Sequence, residues 1–116
     1  MKMENNTKNR CIASERLCDT GFSYTLSLMS GKYKMTILYT LMEFGVVRYN
    51  ELQRYIMGIS YKTLSASLKE LENDGLIVRK EYPQIPPKVE SSLSERGKSL
   101  IPILDGMCEW GDKNRM

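Results

Sequence analysis

The chain has 116 residues, of which 41% are hydrophobic and 27% charged, and its formal net charge is +3. This length suits one domain, and the composition excludes disordered and fibrous proteins. The sequence contains no histidine, and its three cysteines have no C-x-x-C spacing. It therefore lacks the usual general base and metal ligand, and it predicts neither a zinc finger nor a disulfide framework.

The amino terminus predicts no targeting segment. Residues 1–10 are polar with no apolar run behind them, so we expect no signal peptide. The stretch from Leu17 to Gly31 is interrupted by Asp19 and rich in serine and threonine, so we expect no membrane span and predict a cytoplasmic protein. No glycine-rich phosphate loop occurs, and we expect no cofactor. Residues 1–15 are predicted to be a flexible tail, and residues 16–116 to form one domain.

Two helices are predicted before Gly45. The first covers Phe22 to Met29, and the second runs from Lys32 to Phe44. Apolar residues cover most of the wheel of the second helix, which indicates a buried central helix. Its polar strip consists of Thr36, Thr40 and Glu43. Gly45 is a residue at which such a helix ends.

A pair of helices around a short turn is predicted next. A short β-branched segment, Val46 to Tyr49, precedes a helix from Asn50 to about Met57, and Gly58, Ile59 and Ser60 form a three-residue turn. Ser60 is a good N-cap for the second helix of the pair, which continues to Asn73. The buried face of that helix is predicted from the spacing of Leu64, Leu68 and Leu71.

The rest of the chain predicts a hairpin and a final helix. Leu76 to Tyr82 and Lys88 to Leu93 are strand-like and are joined by a proline-bounded tip. Ser94 and Glu95 cap a last helix that reaches Trp110, and Pro102 inside it is expected to bend it. This element order is the winged helix-turn-helix plan, a mainly α fold with a small β-hairpin wing.

The second helix of such a pair reads DNA. With the three leucines facing the core, its other side presents cations and hydroxyls, and its N-terminus offers a phosphate-binding point. The predicted DNA-binding residues here are Ser60, Tyr61, Lys62, Thr63, Ser65 and Lys69. The whole charge excess lies between Gly31 and Lys62. A merely solvated helix would also carry such lysines, and hairpin cations also protect sheet edges.

Several motifs follow one another between Cys18 and Gly111. They are Thr25-Leu26-Ser27-Leu28, Gly31-Lys32-Tyr33-Lys34, Arg48-Tyr49-Asn50-Glu51-Leu52, Gly58 to Leu64, Leu68 to Leu76, Pro86 to Glu90, Leu93 to Gly97 and Trp110-Gly111. Through them the chain resembles the HxlR-type winged-helix transcriptional regulators of bacteria, which are relatives of the MarR group.

The resemblance implies a homodimeric regulator that binds duplex DNA. It implies that Lys32 and Arg48 contact backbone phosphates. It also implies that the segment from Ser60 to Lys69 is the reading helix and that the segment from Arg79 to Lys88 is the wing. Two-fold symmetry then predicts an operator with an inverted repeat.

The resemblance also implies that the first and last helices form the dimer. Independently, the apolar residues of the last helix spread over about 180° of the wheel, whereas covering one core needs only roughly 100°. These residues are Leu100, Ile101, Ile103, Leu104, Met107, Cys108 and Trp110. A bent helix that wraps its own domain would show the same spread.

Cys18 is a candidate redox or electrophile sensor, because regulators of the resembling family use a cysteine just before the first helix. Arg16 and Lys32 would stabilise its thiolate, whereas Asp19 would destabilise it. Two residues are candidates for a disulfide bond with Cys18, namely Cys11 and Cys108 of the partner subunit, and the sequence does not decide between them. The alternative is that Cys18, like Cys108, packs as a small hydrophobe.

Three classes of function compete for this sequence. A winged-helix protein-interaction module without DNA binding would tend to replace Lys62 and Lys69 with apolar or acidic residues, and this chain keeps both. A thiol-dependent enzyme using Cys18 would need a base, and the chain has no histidine. The sequence therefore favours a DNA-binding transcription regulator and not an enzyme.

Overall fold

A computed structural model describes residues 20–116, which form six helices and three strands. They are α1 (Gly21–Met29), α2 (Lys34–Phe44), β1 (Val47–Arg48), α3 (Tyr49–Tyr55), α4 (Tyr61–Asn73), β2 (Ile77–Tyr82), β3 (Lys88–Leu93), α5 (Glu95–Lys98) and α6 (Ile101–Asn114). The predicted tail and the cysteines Cys11 and Cys18 lie outside the described residues. After Ser30 the chain divides into two compact units, of which the first holds α1 and the second holds the other elements.

The core of the second unit is built from the apolar faces of α2, α3 and α4 and from one face of the sheet. Its fully buried side chains include Ile37, Leu38, Leu41, Val47, Leu52, Leu64, Leu68, Leu71 and Leu76. The predicted buried face of α4 is therefore confirmed. The side of α4 opposite these leucines carries mostly exposed residues and is accessible to a partner.

The three strands form one antiparallel sheet in the order β1-β3-β2. In the hairpin, Ile77 lies opposite Leu93 and Tyr82 opposite Lys88. Arg48 of β1 lies opposite Glu90 of β3, and the next residue, Tyr49, begins α3 without a connecting loop. The expected winged helix-turn-helix, mainly α with a small hairpin wing, is confirmed.

The prediction of a single last helix bent at Pro102 is wrong. The chain forms α5, turns at Ser99 and Leu100, and begins α6 at Ile101, so Pro102 lies in the first turn of α6. Backbone N–H groups in a first helical turn have no intrahelical acceptor, and a proline there sacrifices no hydrogen bond. Pro102 therefore helps to start a helix rather than to bend one, and α6 continues beyond Trp110 to Asn114.

The predicted polar strip of α2 is also partly wrong. Thr40 is only 6% exposed, and its hydroxyl donates to the carbonyl oxygen of Thr36 at 2.8 Å, which satisfies it inside the helix. Tyr39 and Phe44, two apolar residues of this predicted buried helix, are exposed. The helix begins at Lys34, two residues later than predicted, and ends before Gly45 as expected.

Candidate nucleic-acid interface

The N-terminus of α4 is fixed by Ser60. This residue has extended backbone angles, and its hydroxyl oxygen accepts the N–H of Thr63 at 3.1 Å. The same hydroxyl lies 3.0 Å from the Thr63 hydroxyl oxygen. Ser60 is therefore the N-cap that the sequence predicts, and the other N–H groups of the first turn remain at an exposed helix end.

The side of α4 opposite its buried leucines is open to solvent. Tyr61, Lys62, Thr63 and Lys69 are all exposed, whereas Ser65 is half-buried. Two cations and several hydroxyl groups thus share one helical surface, the chemistry that contacts phosphates and base edges in a major groove.

A tyrosine that the sequence reasoning missed holds this end of α4. The Tyr49 hydroxyl lies 2.9 Å from the carbonyl oxygen of Tyr61 and 2.9 Å from the Ser65 hydroxyl oxygen. The rings of Tyr49 and Tyr61 lie 5.2 Å apart at an angle of 54°. The sequence signal for these contacts is weak, because an aromatic residue at the start of α3 reads as an ordinary packing residue.

An open groove of about 430 Å³ separates this part of α4 from the hairpin. Five of the predicted DNA-binding residues line it, namely Arg48, Tyr61, Ser65, Arg79 and Lys88. The fold thus brings together residues from β1, α4 and both hairpin strands, although they are up to forty positions apart in sequence.

The hairpin cations are engaged by neighbouring carboxylates. The Arg79 guanidinium lies 3.3 Å from a carboxylate oxygen of Glu72 on α4, and the Lys88 ammonium lies 3.3 Å from Glu90. The Lys80 and Lys88 ammonium groups also lie 5.1 and 4.5 Å from the centre of the Tyr82 ring. The positive charge that the hairpin presents is therefore smaller than its count of lysines and arginines indicates.

The Glu90 carboxylate is contacted by two hairpin residues, Tyr82 and Lys88. The Tyr82 hydroxyl donates to it at 3.0 Å, and this hydrogen bond, together with the Lys88 ammonium, holds the pKa of Glu90 below its ordinary value. The side chain is thus a carboxylate at neutral pH, and it ties the two hairpin strands together near the tip.

The two predicted phosphate contacts lie at different places. Arg48 lines the groove, and its backbone N–H donates to the Glu51 carboxylate at 2.9 Å at the start of α3. Lys32 is exposed, with its ammonium 5.3 Å from the centre of the Tyr33 ring. The Tyr33 hydroxyl reaches the carbonyl oxygen of Gly58 at 3.4 Å, which is in the turn before α4. Lys32 is therefore near the helix-turn-helix but outside the groove.

The thiol chemistry of the described residues is limited to Cys108, which is half-buried and unpaired. Its thiol lies beside the Tyr39 hydroxyl, and this proximity raises the pKa of Tyr39. Both residues line a largely apolar cavity of about 280 Å³ between α2 and α6. Over residues 20–116 no three acidic, histidine or cysteine side chains converge as metal ligands do.

Comparison with known proteins agrees with this architecture. The model of the HxlR-like helix-turn-helix family matches residues 28–116. An HTH-type transcriptional regulator of Halalkalibacterium halodurans is 60% identical over 97 residues, which cover 84% of this chain and 86% of that protein. The HTH-type transcriptional regulator YdzF of Bacillus subtilis is 57% identical over 90 residues, which cover 78% and 83% of the two chains.

Solved structures give the same result. The reduced form of the redox regulator HypR has a TM-score of 0.78 and 42% identity, covering 83% of this chain and 94% of that chain. A Porphyromonas gingivalis chain assigned to the MarR family has a TM-score of 0.79 and 36% identity, covering 90% and 99%. The family and these relatives are regulators of transcription, not enzymes. The chain belongs to the HxlR-like helix-turn-helix family of transcriptional regulators.

Proposed function

We propose that this regulator binds duplex DNA as a homodimer at an inverted-repeat operator, with α4 in the major groove and the hairpin of β2 and β3 as the wing. The observation that carries the proposal is the exposed surface of α4, where Lys62, Thr63 and Lys69 follow an N-cap at an open helix end. An α-helix fits the major groove, and its N-terminal residues are the ones that reach base edges.

The charged residues divide into two groups in this proposal. Lys32 and Arg48 hold backbone phosphates, because they lie beside the reading helix rather than on it. Ser60, Tyr61, Lys62, Thr63, Ser65 and Lys69 belong to the reading surface. Arg79 and Lys88 follow the phosphates beyond the major groove, and their ion pairs with Glu72 and Glu90 weaken that contact.

Dimer formation through the terminal helices is supported by exposed apolar side chains. On α6, Met107 is 53% and Trp110 is 69% exposed, and Ile103 is exposed beside them. On α1, Phe22 and Tyr24 are exposed. Exposed apolar side chains of this kind are unfavourable in water and mark an interaction site on each helix, and a second copy of the chain would cover them.

We also propose that oxidation or alkylation of Cys18 controls DNA binding. The support is the 42% identity to HypR, a redox regulator solved in both an oxidized and a reduced form.

No helix among residues 20–116 has the length and apolar character needed to cross a bilayer. We place the action of the protein in the cytoplasm, where operator DNA and a reducing thiol pool meet.

DNA binding is tested by gel retardation of the promoter fragments next to the chain's own gene, against an equal mass of unrelated duplex. We expect one fragment to be retarded at a protein concentration at least tenfold below that needed for unrelated DNA. Equal retardation of every fragment, or of none, would contradict the proposed function and favour the protein-interaction module.

Thiol control is tested on the retarded fragment after treatment with diamide or a quinone. We expect the affinity of the wild type to change and that of Cys18→Ser to stay constant. The diamide response of Cys108→Ser then identifies the disulfide partner, because it persists if Cys18 pairs with Cys11 and is lost if Cys18 pairs with Cys108 of the partner subunit. An unchanged affinity in the wild type would assign Cys18 to packing alone.

A further inference from the structure

The contacts of Tyr49 determine how the Ser65 hydroxyl can bond. The Tyr49 oxygen lies 2.9 Å from the Tyr61 carbonyl oxygen and 2.9 Å from the Ser65 hydroxyl oxygen. Both distances are those of good hydrogen bonds between oxygen atoms. The tilted ring contact of 5.2 Å with Tyr61 holds the Tyr49 side chain in the position that makes both contacts.

The number of available protons fixes the direction of these bonds. A carbonyl oxygen only accepts, so the single hydroxyl proton of Tyr49 goes to Tyr61. The contact with Ser65 then needs the proton of Ser65, which points at the Tyr49 oxygen. Ser65 keeps two oxygen lone pairs and has no proton left to donate.

We propose that Tyr49 is a positioning residue that makes Ser65 a hydrogen-bond acceptor only, so that α4 selects adenine or cytosine over guanine or thymine on one strand at one position of each half-site. This proposal rests on the proposed function, because it needs α4 in the major groove. It adds to that function a chemical rule for one base position.

The major groove supplies the chemistry for such a rule. Adenine and cytosine present an amino group there, which donates, whereas thymine and guanine present carbonyl oxygens, which accept. A free serine hydroxyl serves either kind of base because it rotates to donate or to accept. A serine whose proton is held by Tyr49 pairs with an amino group and meets a carbonyl oxygen with oxygen-to-oxygen repulsion.

Ser65 is placed to meet a base. It lies one turn after the start of α4 and lines the groove together with Arg48 and Tyr61. It is half-buried, so the side that Tyr49 leaves uncovered faces the groove. Lys62, one helical turn before it on α4, is exposed and supplies positive charge nearby.

The test is selection from a duplex library with a randomised central region, followed by binding titrations with the duplexes that the wild type selects. The variants are Tyr49→Phe, which removes only the hydroxyl, and Ser65→Ala, which removes the acceptor. Tyr55→Phe is the matched control, because Tyr55 lies on the same helix and stacks its ring on Phe44 at 4.8 Å. Circular dichroism and thermal unfolding establish that each variant is folded.

We expect the wild type to favour amino bases on one strand at one half-site position by about threefold to tenfold, the range of one hydrogen bond. Tyr49→Phe should bring this ratio near one by strengthening the guanine and thymine duplexes, because Ser65 regains its proton. Ser65→Ala should bring the ratio near one by weakening the adenine and cytosine duplexes. Tyr55→Phe should keep the wild-type ratio.

Other results overturn the proposal. A Tyr49→Phe protein that loses affinity equally for all duplexes would show a purely structural tyrosine. Unchanged base preference in Ser65→Ala would show that Ser65 meets no base. A wild type that enriches no sequence from the library would instead contradict the proposed function itself.

Discussion

The Lys34 ammonium of α2 and the Glu70 carboxylate of α4 form an ion pair of 2.7 Å between the central helix and the proposed reading helix. The two partners differ in their surroundings. The Lys34 side chain is 11% exposed, whereas that of Glu70 is 60% exposed. A largely buried ammonium is costly without a partner, and a water-exposed carboxylate is not.

The two partners of this ion pair are expected to differ in how much their removal lowers the free energy of unfolding, with the larger loss at Glu70. Glu70→Ala should lower the free energy of unfolding by about 1 kcal/mol, because it leaves the buried ammonium without its carboxylate. Lys34→Met should change it by less than about 1 kcal/mol, since an apolar chain of similar length fills the same space. Urea denaturation of both variants checks this, with Glu109→Gln on α6 as the control. Equal losses in both variants would contradict it.

Gly97 of α5 is expected to tolerate no side chain. A Cβ atom there would overlap the carbonyl oxygen of Leu76, which belongs to the backbone and has little room to move. We expect Gly97→Ala to destabilise the fold by about 1–3 kcal/mol. Gly106→Ala in α6 is the control, because a Cβ atom at Gly106 meets nothing within 4 Å. That variant should gain about 0.5–1 kcal/mol from helix propensity, so thermal unfolding should shift in opposite directions.

The Glu90 carboxylate makes the stability of the hairpin depend on pH. Its pKa is lower in the folded protein than in the unfolded chain, so the unfolded state binds more protons in acid. The stabilisation is therefore full above about pH 4.5, near the ordinary pKa of glutamate, and it is lost as the pH falls through the folded value. We expect Glu90→Gln to be less stable than the wild type at pH 7 by urea denaturation, and this difference to shrink progressively as the pH falls below about 4.5. Glu81→Gln, at an exposed glutamate of the same hairpin, is the control for removal of one negative charge.

Phosphate and base contacts should separate in salt titrations of DNA binding. Lys32→Ala and Arg48→Ala should each weaken all sequences alike and reduce the slope of log affinity against log salt by about one unit. Lys62→Ala should change base preference, with a loss of about 1–3 kcal/mol at one position. Glu72→Gln should strengthen binding and steepen the slope, because it releases the Arg79 guanidinium. Indistinguishable slopes in all four variants would refute this division.

Trp110 should matter for assembly more than for the fold of one chain. Because its ring is 69% exposed, Trp110→Ser removes few contacts within the chain and much of the apolar surface of α6. We expect the wild type to be a dimer in light scattering at micromolar concentration and the variant to dissociate at least tenfold more readily. Met57→Ser, at a more exposed apolar residue in the turn before α4, should stay dimeric. A monomeric wild type that still binds DNA tightly would contradict the dimer.

Local signals predicted most of the helix-turn-helix. Ser60 caps α4, and Leu64, Leu68 and Leu71 are buried, because capping and amphipathic spacing act over a few residues. Thr40 shows the limit of such reasoning. A threonine is polar in any pattern, yet its bond to the Thr36 carbonyl makes it compatible with the core.

Contacts between distant segments could not be predicted in the same way. The pairing of Arg79 with Glu72 and the bonds from Tyr49 to Ser65 both depend on how the hairpin and α3 pack against α4. Pro102 illustrates a different failure. A proline is compatible both with a bend inside a helix and with the first turn of a new helix, and Pro102 is in a first turn because the chain turns at Ser99 before α6 begins.

The direct passage from β1 to α3 has a mechanical consequence. Arg48 pairs with the central strand of the sheet, the next residue begins α3, and the hydroxyl of that residue binds α4. These contacts join the proposed reading helix and wing directly, so their relative geometry is already set in the free protein. Docking a preset arrangement of this kind requires little ordering of the chain, which favours affinity. In the proposed homodimer, a switching signal would therefore act most readily on the spacing between the two copies, rather than on the shape of either one.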